Sequence, residues 1–559
     1  MTRLLGLLLL CLVAGGSSYL LIIRPFPSVE IRAYLPADTL ALAEWENLAQ
    51  SWEGWQHNPV SEKSNRVLFF KVLAQLGLPE SFIEETKKAP AFLENFTQHA
   101  SLQRLFGKKV VLALLPASIE PSSVSSPLCK NLVVVLQFEN DLGLHQALQD
   151  FFGPIQSQQV IVYQGESFVT LVFRKGYTLS YWIQPGVLIC AQDAALVQRC
   201  IDQTLQRKIR VHSGLQLNAA YQRLKQQGQN NTDVFIYADL ARLQYQFPIL
   251  REIDTGSGGW LPRHLALFHH AEAGVIRLGL IALVGEETMA AFTAQHQLPA
   301  PADESATLHV FPETEFSLWT NWFKAKKLWD FGLQSSDPDI SALLTSVAQQ
   351  LSEATGRPGD TFFYVFGNGL GVFINEQVVP HQSNRSLGCL AIEVRDRPAV
   401  VAMIKQLVAN LQVITVKSEE TEISSVMLAG GLLQPAYALV DNYLLLADSV
   451  ELIEQARLQI RPYLDGGKKE GQRIDGRGGN LFVFVRTGDM IKRLMPFLTL
   501  LAKENGERTR LLPPESRLFF RELGLPLLTS LRDITTTRLR GSAAGDTILL
   551  EVDYSLRQE

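Results

Sequence analysis

Several groups of residues have types and spacings that chemistry could use, and each makes a further demand on the chain. Asp254-Thr255-Gly256-Ser257 sets a carboxylate in a glycine-bearing turn. Acid–base work by such a group needs a second carboxylate close enough for the pair to share one proton. His264, His269 and His270 in PRHLALFHH offer three imidazoles. They lack the i, i+4 spacing of a zinc-binding helix, and no acidic ligand lies within the string. Gly367, Gly369 and Gly371 in FGNGLGVF form a glycine-rich run, but no Gly-Lys-Ser/Thr follows. The run also leads into a strand, where a phosphate loop would open a helix. No Gly-x-Ser-x-Gly elbow and no Ser/His/Asp or Cys/His set is found, so neither a metal nor a cofactor is expected.

Cys129, Cys190, Cys200 and Cys389 match no zinc spacing. Cys190 ends the apolar run GVLICA, and Cys200 falls on the apolar side of the helix expected next. Both therefore read as small buried residues, with a disulfide as the alternative. Tryptophan placement is more informative. Trp45, Trp52, Trp55, Trp319, Trp322 and Trp329 are expected on two equivalent helices, one opening each half of the chain. Their indoles either pack on their own sheets or form aromatic platforms or a greasy groove for a glycan, a lipid tail or a partner helix.

The elements that must position these residues recur. Residues 132–154, LVVVLQFENDLGLHQALQDFFGP, read as a strand entering a helix, and residues 387–411 repeat the plan. In the second, Asp396 caps the helix, Pro398 sits in its first turn, and Val400, Ile404, Leu407, Val408 and Leu411 make the stripe. Other markers follow in the same order. Residues 105–116 match 365–376. The hairpin and helix at 177–205 match 435–460, each second strand ending at an aspartate, Asp193 or Asp448, available as a cap. Strings starting at Asp233 and Asn480 also correspond, as do 274–283 and 546–554. This is the signature of a tandem duplication. Alternating strands and hairpins predict an α+β fold, each copy an antiparallel sheet with helices packed on one face. The expected division is an N-terminal segment at 1–28, a first repeat at 29–298 and a second at 299–559, joined through the Pro- and Ala-rich stretch 295–310.

At 559 residues the chain exceeds a single core, and its 47% apolar content is that of a folded protein. A net charge of -5 leaves no excess of either sign to steer it to nucleic acid. Leu4 to Ile23 is an uncharged, mostly apolar span of about the ~20 residues that cross a bilayer. It predicts one N-terminal transmembrane anchor or signal helix, and with one arginine on each side, Arg3 and Arg24, the flanking charges set no orientation.

Two resemblances add to this reading. Asp254-Thr255-Gly256-Ser257 resembles the active-site loop of pepsin-like and retroviral-type aspartic proteases. The corresponding region of the second repeat, about 498–540, holds no Asp-Thr-Gly or Asp-Ser-Gly to supply the partner carboxylate. Leu35 to Thr39, the Phe106-Gly107 strand entry and the unit beginning at Leu132 together resemble a family of uncharacterised bacterial envelope proteins. That resemblance implies an N-terminal hydrophobic segment at a bacterial inner membrane and an extracytoplasmic, periplasmic α+β region, and no catalytic residues. The expected function is a non-catalytic binding or scaffolding module with an envelope-protein or lipid partner. A hydrophobic-ligand carrier with a Trp-lined groove is one alternative, and an aspartic-type hydrolase at Asp254 is the other.

Overall fold

The fold is taken from a computed structural model of the chain. It describes residues 30–48, 50–51, 109–116, 131–137, 144–174, 176–209, 214–228, 232–246, 262–272, 274–285, 314–322, 326, 329–330, 333, 338–356, 358, 361–377, 385–418, 421–428, 430, 433–460, 479–503 and 525–556. The chain divides into two compact units. The first comprises Met1–Ala271, Gly279–Leu283 and Glu504–Ser530, and the second Glu272–Leu278, Val284–Lys503 and Leu531–Glu559.

The first strands are β1 (Ala41–Trp45), β2 (Val110–Leu114), β3 (Leu132–Gln137), β4 (Ile155–Tyr163) and β5 (Glu166–Phe173). They are followed by β6 (Thr178–Gln184), β7 (Val187–Ala191), β8 (Val234–Asp239), β9 (His264–Glu272) and β10 (Val275–Leu283). Nine of them pair antiparallel in the spatial order β9-β8-β1-β2-β3-β7-β6-β5-β4. Local chemistry sets the turns. Gln164 and Gly165 both take positive φ, 50° and 84°, as a tight hairpin between β4 and β5 requires.

In the second unit lie β11 (Thr314–Thr320), β12 (Phe366–Gln377), β13 (Arg385–Val394), β14 (Gln412–Ser418) and β15 (Thr421–Met427). Then come β16 (Ala436–Val440), β17 (Tyr443–Ala447), β18 (Leu481–Val485), β19 (Ile534–Ala544) and β20 (Thr547–Leu556). Their order is β19-β18-β11-β12-β13-β17-β16-β15-β14, with β20 beside β19. Strand for strand, this is the pairing of the first set.

Helices cover the sheet from two sides. Helix α1 (Leu144–Phe152) sets Leu144 and Leu148 against Val110, Leu136, Leu188 and Cys190. Helix α2 (Ala194–Ile209) packs on β6 and β7 and buries Leu196, Val197, Cys200 and Ile201. Helix α3 (Ala219–Gln227) starts at Asn218, whose side chain accepts from the Tyr221 amide. In the second unit, α4 (Arg397–Leu407) packs Val400 and Met403 against Val394 and Leu444. Helix α5 (Val450–Ile460) packs Leu452, Ile453 and Ala456 against Cys389, Ala391 and Leu445. Leu444 and Leu445 are successive residues of β17, so α4 and α5 lie on opposite faces.

These observations correct the expected class. Strand outweighs helix, and within each unit the strands form a mostly antiparallel sheet with helices on both faces, in place of an α+β sheet with helices packed on one face. Every residue of β7, Val187–Ala191, is buried, which happens only when both faces are covered. The continuous apolar runs LVVVL and VLICA carry that information; the alternation seen elsewhere in the chain obscures it. Among the described residues no helix is long and apolar enough to cross a membrane, so the expected membrane-spanning helix is not carried forward. The stretch 4–23 and the 295–310 joint lie outside the described residues. Capping is also corrected at one end. Asp396 accepts from the Ala399 amide at 3.0 Å as expected. Asp448, however, accepts from the Gly388 amide at 2.8 Å, and it is the Ser449 hydroxyl that accepts from Leu452.

One close approach in the sheet is testable. The ring of Phe268 lies over Gly279, where an added Cβ would come within 1.9 Å of a ring carbon. Gly279→Ala should therefore cost about 1–3 kcal/mol in a urea titration with the slope unchanged. Wild-type stability would show that the ring moves aside freely.

Candidate functional site

The densest buried charge in the described residues is centred on Glu44, the fourth residue of β1. Alternation along ALAEW points Leu42 and Glu44 to the same side, and both are buried, 3% and 2% exposed. Three cations converge on this carboxylate from separate elements. Arg32, in the turn Ile31–Tyr34, donates Nε to both oxygens at 3.1 Å and its Nη2 to Oε1 at 2.5 Å. Lys109, next to β2, lies 2.8 Å from Oε1, and Lys225 of α3 lies 3.3 Å from Oε2. Lys225 also stands 4.1 Å above the Phe235 ring, whose residue faces Glu44 across the β1–β8 register. Tyr221, one helical turn before Lys225, packs edge-on against Phe235 and Tyr237.

Burial alone would raise the pKa of Glu44. The positive charges of Lys225, Arg32 and Lys109 outweigh burial and hold the carboxyl at about 2. Burial lowers the pKa of Lys225, although Glu44 opposes it, and burial raises that of the Tyr221 phenol. Glu46 takes Lys109 at 2.6 Å, and Glu30 lies 3.9 Å from Arg32, so three carboxylates face three cations. The cluster is a balanced internal network that leaves no charge over for a substrate.

The chemistry-bearing strings resolve in different ways. The amides of Asn368 and Gly369 donate to Oε2 of Glu393 at 2.9 and 2.6 Å, so the glycine run holds a carboxylate of its own chain. A Cβ on Gly367 would lie 2.3 Å from Cδ of Glu393, which accounts for glycine there. His269 and His270 on β9 place Nδ1 3.8 and 3.6 Å from Oδ2 of Asp233, an atom that also accepts the Ala271 amide. Burial lowers the pKa of His269. His264 reaches the Tyr237 hydroxyl at 3.2 Å. Among the described residues no group of three or more His, Cys, Asp and Glu side chains is placed to hold a metal ion. Cys190, Cys200 and Cys389 are buried free thiols, each pushed up to about 12 by burial. Asp254 and Cys129 lie outside the described residues.

Of the six tryptophans, Trp45 and Trp319 sit in strands β1 and β11, correcting their expected placement on helices. Trp45 packs against the first unit's core. Trp319 is 8% exposed, hydrogen-bonds to the Tyr443 hydroxyl and lies against Phe482. Trp322 follows β11 with its ring over Gly541 and its Nε1 buried. Trp329 lies 4.8 Å from the Phe363 ring. Trp52 and Trp55 are outside the described residues. The two units also differ at one matched position. Phe235 and Phe482 occupy corresponding places in β8 and β18, and the residues opposite them are Glu44 and Trp319.

Compared with known proteins, the chain matches no family model, no curated sequence and no solved structure.

Sequence reading passed over Glu44. A carboxylate at the inward register of Leu42 is the one local signal. Arg32, Lys109 and Lys225 are too far apart in sequence to be associated with it. Removing the charge should leave three half-buried cations around a neutral side chain, Lys225 losing its carboxylate outright, so Glu44→Gln is expected to destabilise the fold by about 2–4 kcal/mol. Because the folded-state pKa is depressed from 4.5 to about 2, the charge stabilises above pH 4.5 and that contribution is lost as pH falls toward 2. Urea titrations from pH 6 down to pH 2 should therefore show the gap between wild type and Glu44→Gln closing on the acid side. A gap constant with pH would mean the network does not hold the carboxyl in this way.

Proposed function

We propose that the protein is a non-catalytic binding or scaffolding module that works through the outer strands of its sheet. The observation that carries this reading is that β4 and β14, at the same place in the two strand orders, pair on one side only among the described residues. Both strands are bare over most of their length, with Val160, Val162, Ile414 and Val416 exposed. A strand with one free edge presents a row of backbone donors and acceptors, the usual template for adding another strand. Support for the non-catalytic part is that Glu44, Glu393 and the three thiols are engaged or enclosed within the protein. Export from the cytoplasm belongs to this reading and is supported by the apolar stretch 4–23 and the resemblance at Leu35–Thr39.

A hydrophobic-ligand carrier would instead use the indoles as lining. Trp45, Trp319 and Trp329 pack against other side chains of the protein, which favours the binding module. Native mass spectrometry of the full chain, with tryptophan emission recorded before and after organic extraction, separates the two. The expected result is a bare mass and blue-shifted emission that extraction leaves unchanged. A lipid-sized adduct whose removal shifts the emission would replace the binding module with the carrier.

A further inference from the structure

Resting on the reading of β4 as an open edge, we propose that its partner is β4 of a second copy of this chain, paired antiparallel about a two-fold axis at Ile161. The argument begins with what β4 lacks. Edge strands of soluble proteins are commonly guarded by a charge, a proline or a bulge that blocks a stray strand. IQSQQVIVY has no charged residue and no proline over its nine positions. Its only register irregularity with β5 falls at the start, between Ile155 and Ser157. The matched strand β14 is guarded, since its QVITVKS carries Lys417. Pairing through β5 and β15 aligns Ile161 with Val416, which puts that lysine where β4 has Val162.

Self-pairing then follows from symmetry and charge. With Ile161 opposite its own copy, Val160 of each chain faces Val162 of the other, and Tyr163 faces Gln159. The two valines are 60% and 70% exposed, and this register covers both in cross-strand aliphatic pairs. A charged edge would set like charges against each other across the axis, whereas β4 has none to repel. A foreign strand would have to supply the same uncharged, β-branched pattern that a second copy supplies by identity. Tyr163 is already held on the inner side, its hydroxyl 3.2 Å from Asp202 of α2, so the ribbon is presented in a fixed orientation.

Sedimentation velocity on the full-length protein in a non-ionic detergent is expected to show a dimer that dissociates on dilution. Val162→Lys, at an exposed site, should weaken association by at least about tenfold without changing thermal unfolding. Under mild oxidation Ile161→Cys should form a disulfide-linked dimer in higher yield than Gln158→Cys, above the baseline set by the native cysteines. A wild-type chain that stays monomeric at its solubility limit overturns self-pairing, as does a dimer indifferent to Val162→Lys and to the position of the new cysteine. A monomer that instead binds a synthetic extended peptide along β4 also overturns it, while leaving the binding-module reading intact. A lipid adduct in the mass spectrum counts against the module itself, so the two failures are distinguishable.

Discussion

A strand covered on both faces cannot leave a polar group unanswered, and much of this protein's internal chemistry follows from that constraint. Glu44 is tolerated inside the sheet because three cations reach it from a turn, a strand entry and a helix. Glu393 is tolerated because two backbone amides of the bulged β12 point at it. The fully buried Asn480 meets the same demand with its amide and carbonyl. Its Nδ2 donates to Asn321, its Oδ1 accepts from the Ala543 amide, and its backbone carbonyl accepts from Thr320 and Asn321. Each of these ties together segments far apart in sequence, so polar satisfaction and tertiary order are the same event here.

The two units share a frame and fill it differently. The strand orders agree through nine positions, yet the place opposite the matched phenylalanine holds a carboxylate in one unit and an indole in the other. In the first case the pocket is closed by ion pairs, in the second by an aromatic contact and a hydrogen bond to Tyr443. A sheet tolerates that exchange because its backbone hydrogen bonds do not depend on the side chains they carry. The same freedom separates the edges, where one unit ends in an uncharged strand and the other in a strand with a lysine.

What could be read from residue order was whatever local spacing dictates. The helix after Asp396 begins at Arg397 with its aspartate cap, and Cys200 and Ala456 are both fully buried on corresponding helices. The hairpins at 178–191 and 436–447 form where two apolar strands meet a tight turn. Alternation in some strands suggests a single covered side and hides the second covered face. Whether the second side is bare or roofed by a helix depends on where α1 and α4 return, which no window of ten residues records. The tryptophans mislead in a related way, since their helical spacing includes Trp45 and Trp319, which belong to strands.

The sequence by itself determined many of the local elements, the small buried character of Cys190 and Cys200 and the correspondence between the two halves, because each depends on neighbours within a turn or a strand. Tertiary structure alone decided that one strand order recurs in both units, that helices cover both faces, that Glu44 lies within reach of Arg32, Lys109 and Lys225, and that β4 pairs on one side only among the described residues. Those outcomes depend on which distant segments hydrogen-bond side by side, and the hydrophobic pattern of a strand says that it must be covered without saying by what.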